Sequence, residues 1–432
     1  MLIHVVRSGE SIFTIARRYQ TTVDRIVSVN ELDQPEDLVI GQALVIPTDT
    51  YTVQQGDSLY SIGQRFGITY QELAAYNNLN VNAPLNVGQV LNIPRKPQRD
   101  ITVNAYAEPI GGSVSPALEA SVRARTPYLT YLAPFSYRVN RDGTLTAPPL
   151  NNFPAIAQEN RAALMMVITN LEEGGFNDEL GRIILTNETV QNTLLNEIIR
   201  ISNEVGFQDI HFDFEFLPPD LRESYNQFLR KAKERLSANG LLISTALAPK
   251  NRADQPGQWY EAHDYRAHGE IVDFVVLMTY EWGYSGGPPM AVSPIEPVRG
   301  VVEYALTEMP ANKILLGQNL YGYDWTLPFT PGGEFARAVS PNRAIELARQ
   351  YNQAIQYDEE AQAPFFHYWD EQGREHEVWF EDARSIDAKF DLIKQYGLKG
   401  ISYWKLGLAF PQNWILLDDR FNISKIRKNK QD

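Results

Sequence analysis

The chain has 432 residues, of which 44% are hydrophobic, and its formal net charge is −14. The length allows two or three domains with sizeable cores, and the acidity argues against nucleic acid or an anionic membrane as the main partner. The absence of cysteine excludes disulfides, thiolate metal sites and a cysteine nucleophile.

The N-terminus carries no targeting pattern. The opening residues, MLIHVVRSGE, lack the charged-then-apolar order of a signal peptide, so we expect no signal-peptide export. No apolar run approaches the length of a membrane helix, so we expect no membrane insertion.

Residues 1–96 are predicted to be a tandem repeat of two units, 1–48 and 49–96. A shift of 47 positions superimposes the units without a gap: Gly9 on Gly56, Ser11 on Ser58, Asn30 on Asn77, and Ile46-Pro47 on Ile93-Pro94. Each unit is predicted to contain a strand, two helices and a closing strand, with a serine capping the first helix.

The repeat resembles the LysM module in three places: a Gly-Glu/Asp-Ser start, a central Asn-x-Leu and a final Gly-Gln…Ile-Pro. The resemblance implies a βααβ fold that binds N-acetylglucosamine-containing glycans such as peptidoglycan or chitin. It places the sugar contacts in Gly9–Phe13 with Asn30–Gln34, and in Gly56–Tyr60 with Asn77–Val81. The alternative is that these glycines and asparagines serve only as turn and cap residues. Two weak modules on one chain gain avidity on a repetitive polymer.

Residues 97–432 alternate between strand-like and helical patterns, which predicts a (β/α)8 TIM barrel. A doubly wound sheet is the competing interpretation. A small insertion is predicted around residues 351–380. The eight predicted strands are Ile101–Ala107, Tyr128–Tyr137, Ala163–Thr169, Asp209–Phe216, Leu241–Leu247, Phe274–Tyr280, Ile314–Tyr321 and Gly400–Lys405.

The fourth predicted strand, QDIHFDFEF, alternates titratable and large apolar residues. A strand has a period of two, so Asp209, His211, Asp213 and Glu215 share one face. The segment LPPD then breaks the strand and starts a helix. In a parallel barrel, such a strand presents carboxylates at the C-terminal rim. Repulsion from Asp213 and partial burial are expected to raise the pKa of Glu215, so that Glu215 acts as a general acid.

This strand resembles the DGxDxDxE motif of glycoside hydrolase family 18. The final Asp213-x-Glu215 is intact, whereas Gln208, Asp209 and His211 replace the first Asp, the Gly and the middle Asp. The resemblance implies that Glu215 protonates the glycosidic oxygen and that Asp213 orients the substrate's N-acetyl group, whose oxygen attacks the anomeric carbon. His211 is predicted to bind substrate and to interact with Asp213. The alternative is a hydrogen-bonded histidine that fills the barrel.

Further motifs lie at the ends of the last three strands. Tyr280 and Glu281 are similar to the end of the family's MxYD motif, which implies that Tyr280 is catalytic and bonds the acetamido carbonyl. Glu281 would contact sugar hydroxyls. Trp404 corresponds to the tryptophan that stacks on the −1 sugar. Asn319 and Tyr321 are predicted as additional sugar contacts.

No metal or cofactor is predicted, because the histidines are scattered and no HExxH, GxGxxG or Walker motif is present. The mechanism implied by the family requires a 2-acetamido group on the −1 sugar. A lactamised muramic acid lacks a free acetamide, and an ordinary muramic acid is crowded at O3. N-acetylglucosamine at −1 is therefore the simpler choice, which predicts an N-acetylglucosaminidase.

The whole chain resembles the spore cortex-lytic glycosidases of endospore-forming bacteria. The sequence segments that show this resemblance are Val103–Pro109, Phe214–Arg222 and Gly397–Trp414. It implies a peptidoglycan partner and synthesis in the mother-cell cytoplasm, followed by assembly at the coat and cortex boundary of the spore. We expect a monomer. The alternatives are a chitinase or other chitooligosaccharide hydrolase, and a non-catalytic chitinase-like lectin or coat protein.

Overall fold

The computed structural model describes residues 1–47, 49–82, 84–94 and 98–425. These residues divide into two compact units. One contains residues 1–99, 322–387 and 409–422, and the other contains residues 100–321, 388–408 and the described residues from 423 onward. Thr48 and residues 95–97, which adjoin the predicted domain boundaries, lie outside the described residues.

The two N-terminal repeats each fold as strand, helix, helix, strand, as predicted. In both, the two strands pair antiparallel, and Ser11 and Ser58 open the first helix with a capping box. The elements are Leu2–Val5, Ile12–Tyr19, Val23–Asn30 and Ala43–Ile46 in the first repeat, and Thr50–Thr52, Leu59–Phe66, Tyr70–Tyr76 and Val90–Asn92 in the second.

One asparagine closes each repeat from the inside. The Asn30 side chain donates to the carbonyl of Val45 and accepts from its N–H, both at 2.8 Å. Asn77 makes the same pair of bonds with Asn92, both at 2.7 Å. Both side-chain amides are hydrogen-bonded to the backbone. The geometry therefore supports the interpretation of Asn30 and Asn77 as structural residues.

The second unit is built on a closed barrel of eight parallel strands, which confirms the predicted fold. Each strand pairs with the next in the chain and the last pairs with the first. The strands are Arg99–Ala107, Tyr131–Pro134, Ala163–Thr169, Phe207–Asp213, Leu242–Leu247, Phe274–Leu277, Ile314–Asn319 and Gly400–Trp404.

Helices follow the barrel strands in the chain. They are Pro116–Arg125, Phe153–Glu159, Asp178–Thr186, Glu188–Val205, Arg222–Ser237, Tyr265–Ile271, Ile295–Glu308, Ala383–Tyr396 and Pro411–Arg420. Short strands pair at Tyr137–Val139 with Leu145–Thr146, and at Leu171–Glu172 with Gly175–Phe176. In the parts of the chain that the structure describes, no helix combines the length and the apolar character needed to cross a bilayer.

The fourth barrel strand has the predicted two-faced character. Phe212 and Phe214 point outward, where their rings lie 5.2 Å from Phe228 and 5.7 Å from Tyr225 of the following helix. His211 points inward and bonds Tyr106 of the first strand. The strand ends at Asp213, however, so Glu215 lies in the loop beyond it rather than on the strand.

The predicted insertion around 351–380 is too short. The segment after the seventh barrel strand forms a five-stranded antiparallel sheet that begins at Gly322, with the helix Pro341–Gln350 between two of its strands. The sheet's strands, in spatial order, are Arg337–Val339, Gly322–Thr326, Glu375–Trp379, Ala363–Trp369 and Gln356–Asp358.

The first repeat is fixed to this inserted segment, and both belong to the same unit. Ile355 N–H donates to the carbonyl of Ile40 at 2.8 Å, and Arg384 donates to the carbonyl of Gly41 at 3.2 Å. A Cβ on Gly41 would lie 1.8 Å from the carbonyl oxygen of Ile355, whereas one on the equivalent Gly88 would meet nothing within 4 Å. The two repeats therefore share a fold but not an environment.

Candidate active site

The two rim carboxylates of the fourth strand are both buried. Asp213 is 5% exposed and Glu215 is 9% exposed. Asp213 ends the barrel strand, and Glu215 follows two residues later in the loop at the strand's C-terminal end. This is the edge of a parallel barrel at which catalytic groups collect.

Burial is the main cause of the shifted ionisation of both groups. It raises the pKa of Asp213 to about 7. Burial, followed by repulsion from Asp213, raises the pKa of Glu215 well above its ordinary value, and a hydrogen bond from Trp259 opposes this rise. The raised pKa of Glu215 favours its protonated form, whereas Asp213, with a pKa of about 7, is partly ionised at neutral pH. An acid and its carboxylate partner require this division of states.

Three side chains from outside the strand hold the backbone around Glu215. Asn170 accepts from the N–H of Glu215 and donates to its carbonyl, both at 3.0 Å. His263 and Gln258 donate to the carbonyls of Phe214 and Phe216, at 2.9 and 2.8 Å. The donor role of His263 follows from its other ring nitrogen, which accepts from a backbone N–H.

These supporting residues are not among the site residues predicted from the sequence. Asn170 directly follows the third barrel strand, so a polar residue at that strand end was the available signal. Trp259 is an aromatic residue in the polar loop after the fifth strand, and its indole N–H donates to the Glu215 carboxyl group at 2.5 Å.

His211 lies inside the barrel, beneath the rim. It is fully buried, and its ring nitrogens bond the Tyr106 hydroxyl at 2.8 Å and the Ser244 hydroxyl at 2.9 Å. Ser244 in turn donates to Asp209 at 2.6 Å. The predicted substrate contact and the predicted bond to Asp213 are therefore both wrong for His211. It fills the barrel, and burial lowers its pKa to about 3, so it is neutral.

The residues at the ends of the sixth and seventh strands form a second cluster of the rim. Tyr280 is buried beside Gly317, whose missing Cβ would lie 3.0 Å from the tyrosine ring. The Tyr321 hydroxyl donates to the Glu281 carboxylate. Asn319 is fully buried, and its amide donates to the carbonyl of Tyr321 at 2.6 Å. A direct sugar contact by Asn319 is thus replaced by support of the loop that carries Tyr321.

Trp404 ends the eighth strand. Its ring lies 4.7 Å from Phe135 and 5.5 Å from Tyr106, both edge-on, and part of its surface remains exposed. Edge-on packing from below leaves an indole face for stacking on an apolar sugar face. Trp404 thus joins the rim that carries Asp213, Glu215 and Tyr280.

Among the described residues, no group of three or more histidines, aspartates or glutamates lies close enough to hold a metal ion. The chemistry open to the rim is proton transfer from Glu215 next to a carboxylate that stabilises positive charge. Within the described residues, one oxygen of Asp213, Oδ1, is buried and has no hydrogen-bond partner. Such an acceptor favours a ligand that brings an N–H group.

Two family models match the chain. The model described as glycosyl hydrolases family 18 matches residues 113–409, and the LysM domain model matches residues 4–47 and 51–94. The family 18 match includes every rim residue described above.

Similar proteins match over nearly their full lengths. The chain is 65% identical to the cortical fragment-lytic enzyme of Bacillus subtilis (strain 168), over 98% of this chain and 99% of that protein. The crystal structure of the spore cortex-lytic enzyme SleL of Bacillus megaterium QM B1551 superimposes with a TM-score of 0.91 at 55% identity, covering 98% and 99% of the two chains. SleL of Bacillus cereus gives a TM-score of 0.89 at 49% identity, covering 99% of each.

Proposed function

The chain belongs to glycosyl hydrolase family 18 and carries two LysM domains, and on this premise we propose that it hydrolyses fragments of spore cortex peptidoglycan. We propose further that it cleaves the β-1,4 bond after N-acetylglucosamine. The enzyme is a glycoside hydrolase. The observation that carries the proposal is the buried Asp213 and Glu215 pair at the barrel rim, in a chain 65% identical to a cortical fragment-lytic enzyme.

In the proposed reaction, the Glu215 proton moves to the glycosidic oxygen as the bond from that oxygen to the anomeric carbon breaks. The acetamido oxygen of the −1 sugar attacks the anomeric carbon and forms an oxazolinium ion, so configuration is retained after water attacks. Asp213 accepts the acetamido N–H through its unpartnered Oδ1 and stabilises the positive charge. Glu215 then takes a proton from the incoming water.

Further rim residues are proposed to hold the sugar. Tyr280 donates to the acetamido carbonyl, and Trp404 stacks on the −1 ring. Glu281, oriented by Tyr321, accepts from sugar hydroxyls. A sugar contact by Tyr321 itself stays a prediction.

The LysM domains are proposed to anchor the enzyme to peptidoglycan or another N-acetylglucosamine-containing glycan. Exposed aromatic rings, Phe13 and Tyr60, stand at equivalent positions of the two repeats in the predicted sugar-binding segments. We propose that the protein acts at the coat and cortex boundary of the spore, as a monomer.

Mass spectrometry of cortex-fragment digests tests the proposal. Wild-type protein should release products with N-acetylglucosamine at the new reducing end, and Glu215→Gln should release them about 10³-fold more slowly. Equal products from both proteins would reject the enzymatic role and favour a lectin or coat protein. Faster cleavage of chitin oligomers than of cortex fragments would instead favour a chitinase.

A further inference from the structure

A tryptophan from a neighbouring loop binds the proton donor directly. Trp259 lies between the fifth barrel strand and the helix Tyr265–Ile271, and its Nε1–H donates to Oε2 of Glu215 at 2.5 Å. Its indole stacks on Phe216 with ring centroids 6.0 Å apart and an interplanar angle of 9°. Gln258, the preceding residue, anchors the same loop to the carbonyl of Phe216.

This hydrogen bond determines which oxygen of Glu215 carries the proton. An indole N–H only donates, and the oxygen without the hydrogen is the stronger acceptor of a protonated carboxyl group, so the bond favours the hydrogen on the other oxygen. Burial and repulsion from Asp213 raise the pKa of Glu215, which favours its protonated form. With Oε2 accepting from the indole, the acidic hydrogen resides on Oε1.

We propose that Trp259 is a positioning residue for general acid catalysis, which keeps the acidic hydrogen on Oε1 of Glu215 and then stabilises the carboxylate formed when that hydrogen leaves. The proposal rests on the proposed function. In the step concerned, Oε1 gives its proton to the glycosidic oxygen, and that oxygen keeps the electron pair of the broken bond. The negative charge left on Glu215 then strengthens the bond from Trp259.

The groups around Glu215 otherwise disfavour its charged form, and the hydrogen bond from Trp259 opposes this effect on its ionisation. Among the described residues, Asp213, Tyr106 and Tyr280 interact electrostatically with Glu215. Burial raises the pKa of both tyrosines, so they stay neutral, and Asp213 repels the charged form of Glu215. Trp259 acts in the opposite sense and favours the charged form.

Replacing the donor without removing the ring tests the proposal. Trp259→Phe keeps an aromatic ring on Phe216 but removes the N–H. The pH dependence of kcat/KM reports the ionisation of the free enzyme, and we expect its alkaline limb to move up by about one pH unit. We expect kcat on cortex fragments to fall about tenfold. The loss should be smaller on a nitrophenyl glycoside of N-acetylglucosamine oligomers, because a good leaving group needs less protonation.

Two further variants make the test specific. Incorporation of benzothienylalanine at position 259 replaces the N–H with sulfur in a ring of nearly the same shape, so it should reproduce the shift even if Trp259→Phe folds poorly. The matched control is Tyr260→Phe, because the ring of Tyr260 lies next to that of Trp259. This variant should leave the pH profile of kcat/KM unchanged.

The outcomes separate this proposal from the proposed function. A reduced kcat with an unmoved alkaline limb would assign Trp259 a merely structural role and overturn the inference. A raised kcat in Trp259→Phe would also overturn it, because the indole would then obstruct the acid. Loss of the difference between wild type and Glu215→Gln would instead reject the proposed function itself.

Discussion

The barrel rim and the LysM repeats use opposite means to act on a glycan. At the rim, the carboxyl groups are buried, their pKa values are shifted, and three side chains from two loops hold the backbone around Glu215. In the repeats, the candidate contacts are exposed rings, with Phe13 at 67% and Tyr60 at 62% exposure. The shifted pKa values of the rim carboxyl groups require that these groups be shielded from bulk water. Adhesion to a polymer requires an accessible surface. Variants in one region should therefore leave the other function intact.

The largest separation is expected for Glu215→Gln. Loss of the proton donor should lower kcat on cortex fragments by about 10³-fold, while binding to insoluble cortex stays within twofold. Steady-state kinetics and a pelleting assay measure the two quantities. Glu270→Gln, an exposed glutamate on the helix Tyr265–Ile271, is the control. A parallel loss of binding would break the proposed division between the regions.

The next effect is expected for Asp213→Asn, with a loss of about 10²-fold in kcat/KM. Because the pKa of Asp213 is raised to about 7, it is protonated below that pH, and wild-type activity should fall on the acid side near pH 7. The variant should lose this acid limb. Its alkaline limb should move to lower pH, since repulsion from Asp213 no longer raises the pKa of Glu215. An unchanged profile would contradict the coupling of the pair.

Removal of the backbone support should have a smaller effect. Asn170→Ala leaves the N–H and carbonyl of Glu215 without their partner, so kcat should fall about tenfold and stability by ~1–3 kcal/mol. Unlike Trp259→Phe, this variant should not move the alkaline limb by itself. Asn152→Ala, at an exposed asparagine, is the control. Full activity of Asn170→Ala would show that the loop holds its position without the side chain.

Variants in the LysM repeats should change binding to insoluble cortex and leave catalysis unchanged. Phe13→Ala and Tyr60→Ala should each weaken binding to insoluble cortex about threefold to tenfold, because each removes one aromatic contact. The double variant should bind less than either single variant, and kcat on soluble fragments should be unchanged in all three. Phe335→Ala, an exposed aromatic outside the repeats, is the control. Reduced turnover of soluble fragments would indicate that the repeats take part in catalysis.

The smallest effect distinguishes the two repeats from each other. Gly41 and Gly88 both have positive φ, at +85° and +88°, so alanine strains either site by about 1 kcal/mol. Only Gly41→Ala also collides with Ile355, so it should lower the thermal stability of its unit more than Gly88→Ala does. Differential scanning calorimetry of the pair measures this. Equal shifts would mean that the first repeat is not held by the inserted sheet in solution.

The sequence predicted what regular periodicity encodes. The alternation of QDIHFDFEF predicted which side chains enter the barrel, and Phe212 and Phe214 do pack outward. The alternation does not show how deep a side chain lies in the barrel. It therefore predicted sugar contacts for His211 and Asn319, both of which are fully buried.

Residues that support the site from other loops were beyond such patterns. Asn170, Trp259 and His263 lie tens of positions from Glu215 in the chain, and the pairing of the third and fifth barrel strands with the fourth brings them to it. The insertion was underestimated because its first strand, Gly322–Thr326, continues directly from the seventh barrel strand without an intervening turn signal.

The participation of the substrate's own acetamide is tested most directly by removing it. Two cortex fragments should be compared that differ only in the −1 sugar, which carries either an N-acetyl group or a free amine. The proposed mechanism expects the amine to be cleaved at least about 10³-fold more slowly, because the intramolecular nucleophile is lost. Equal rates for the two fragments would contradict it.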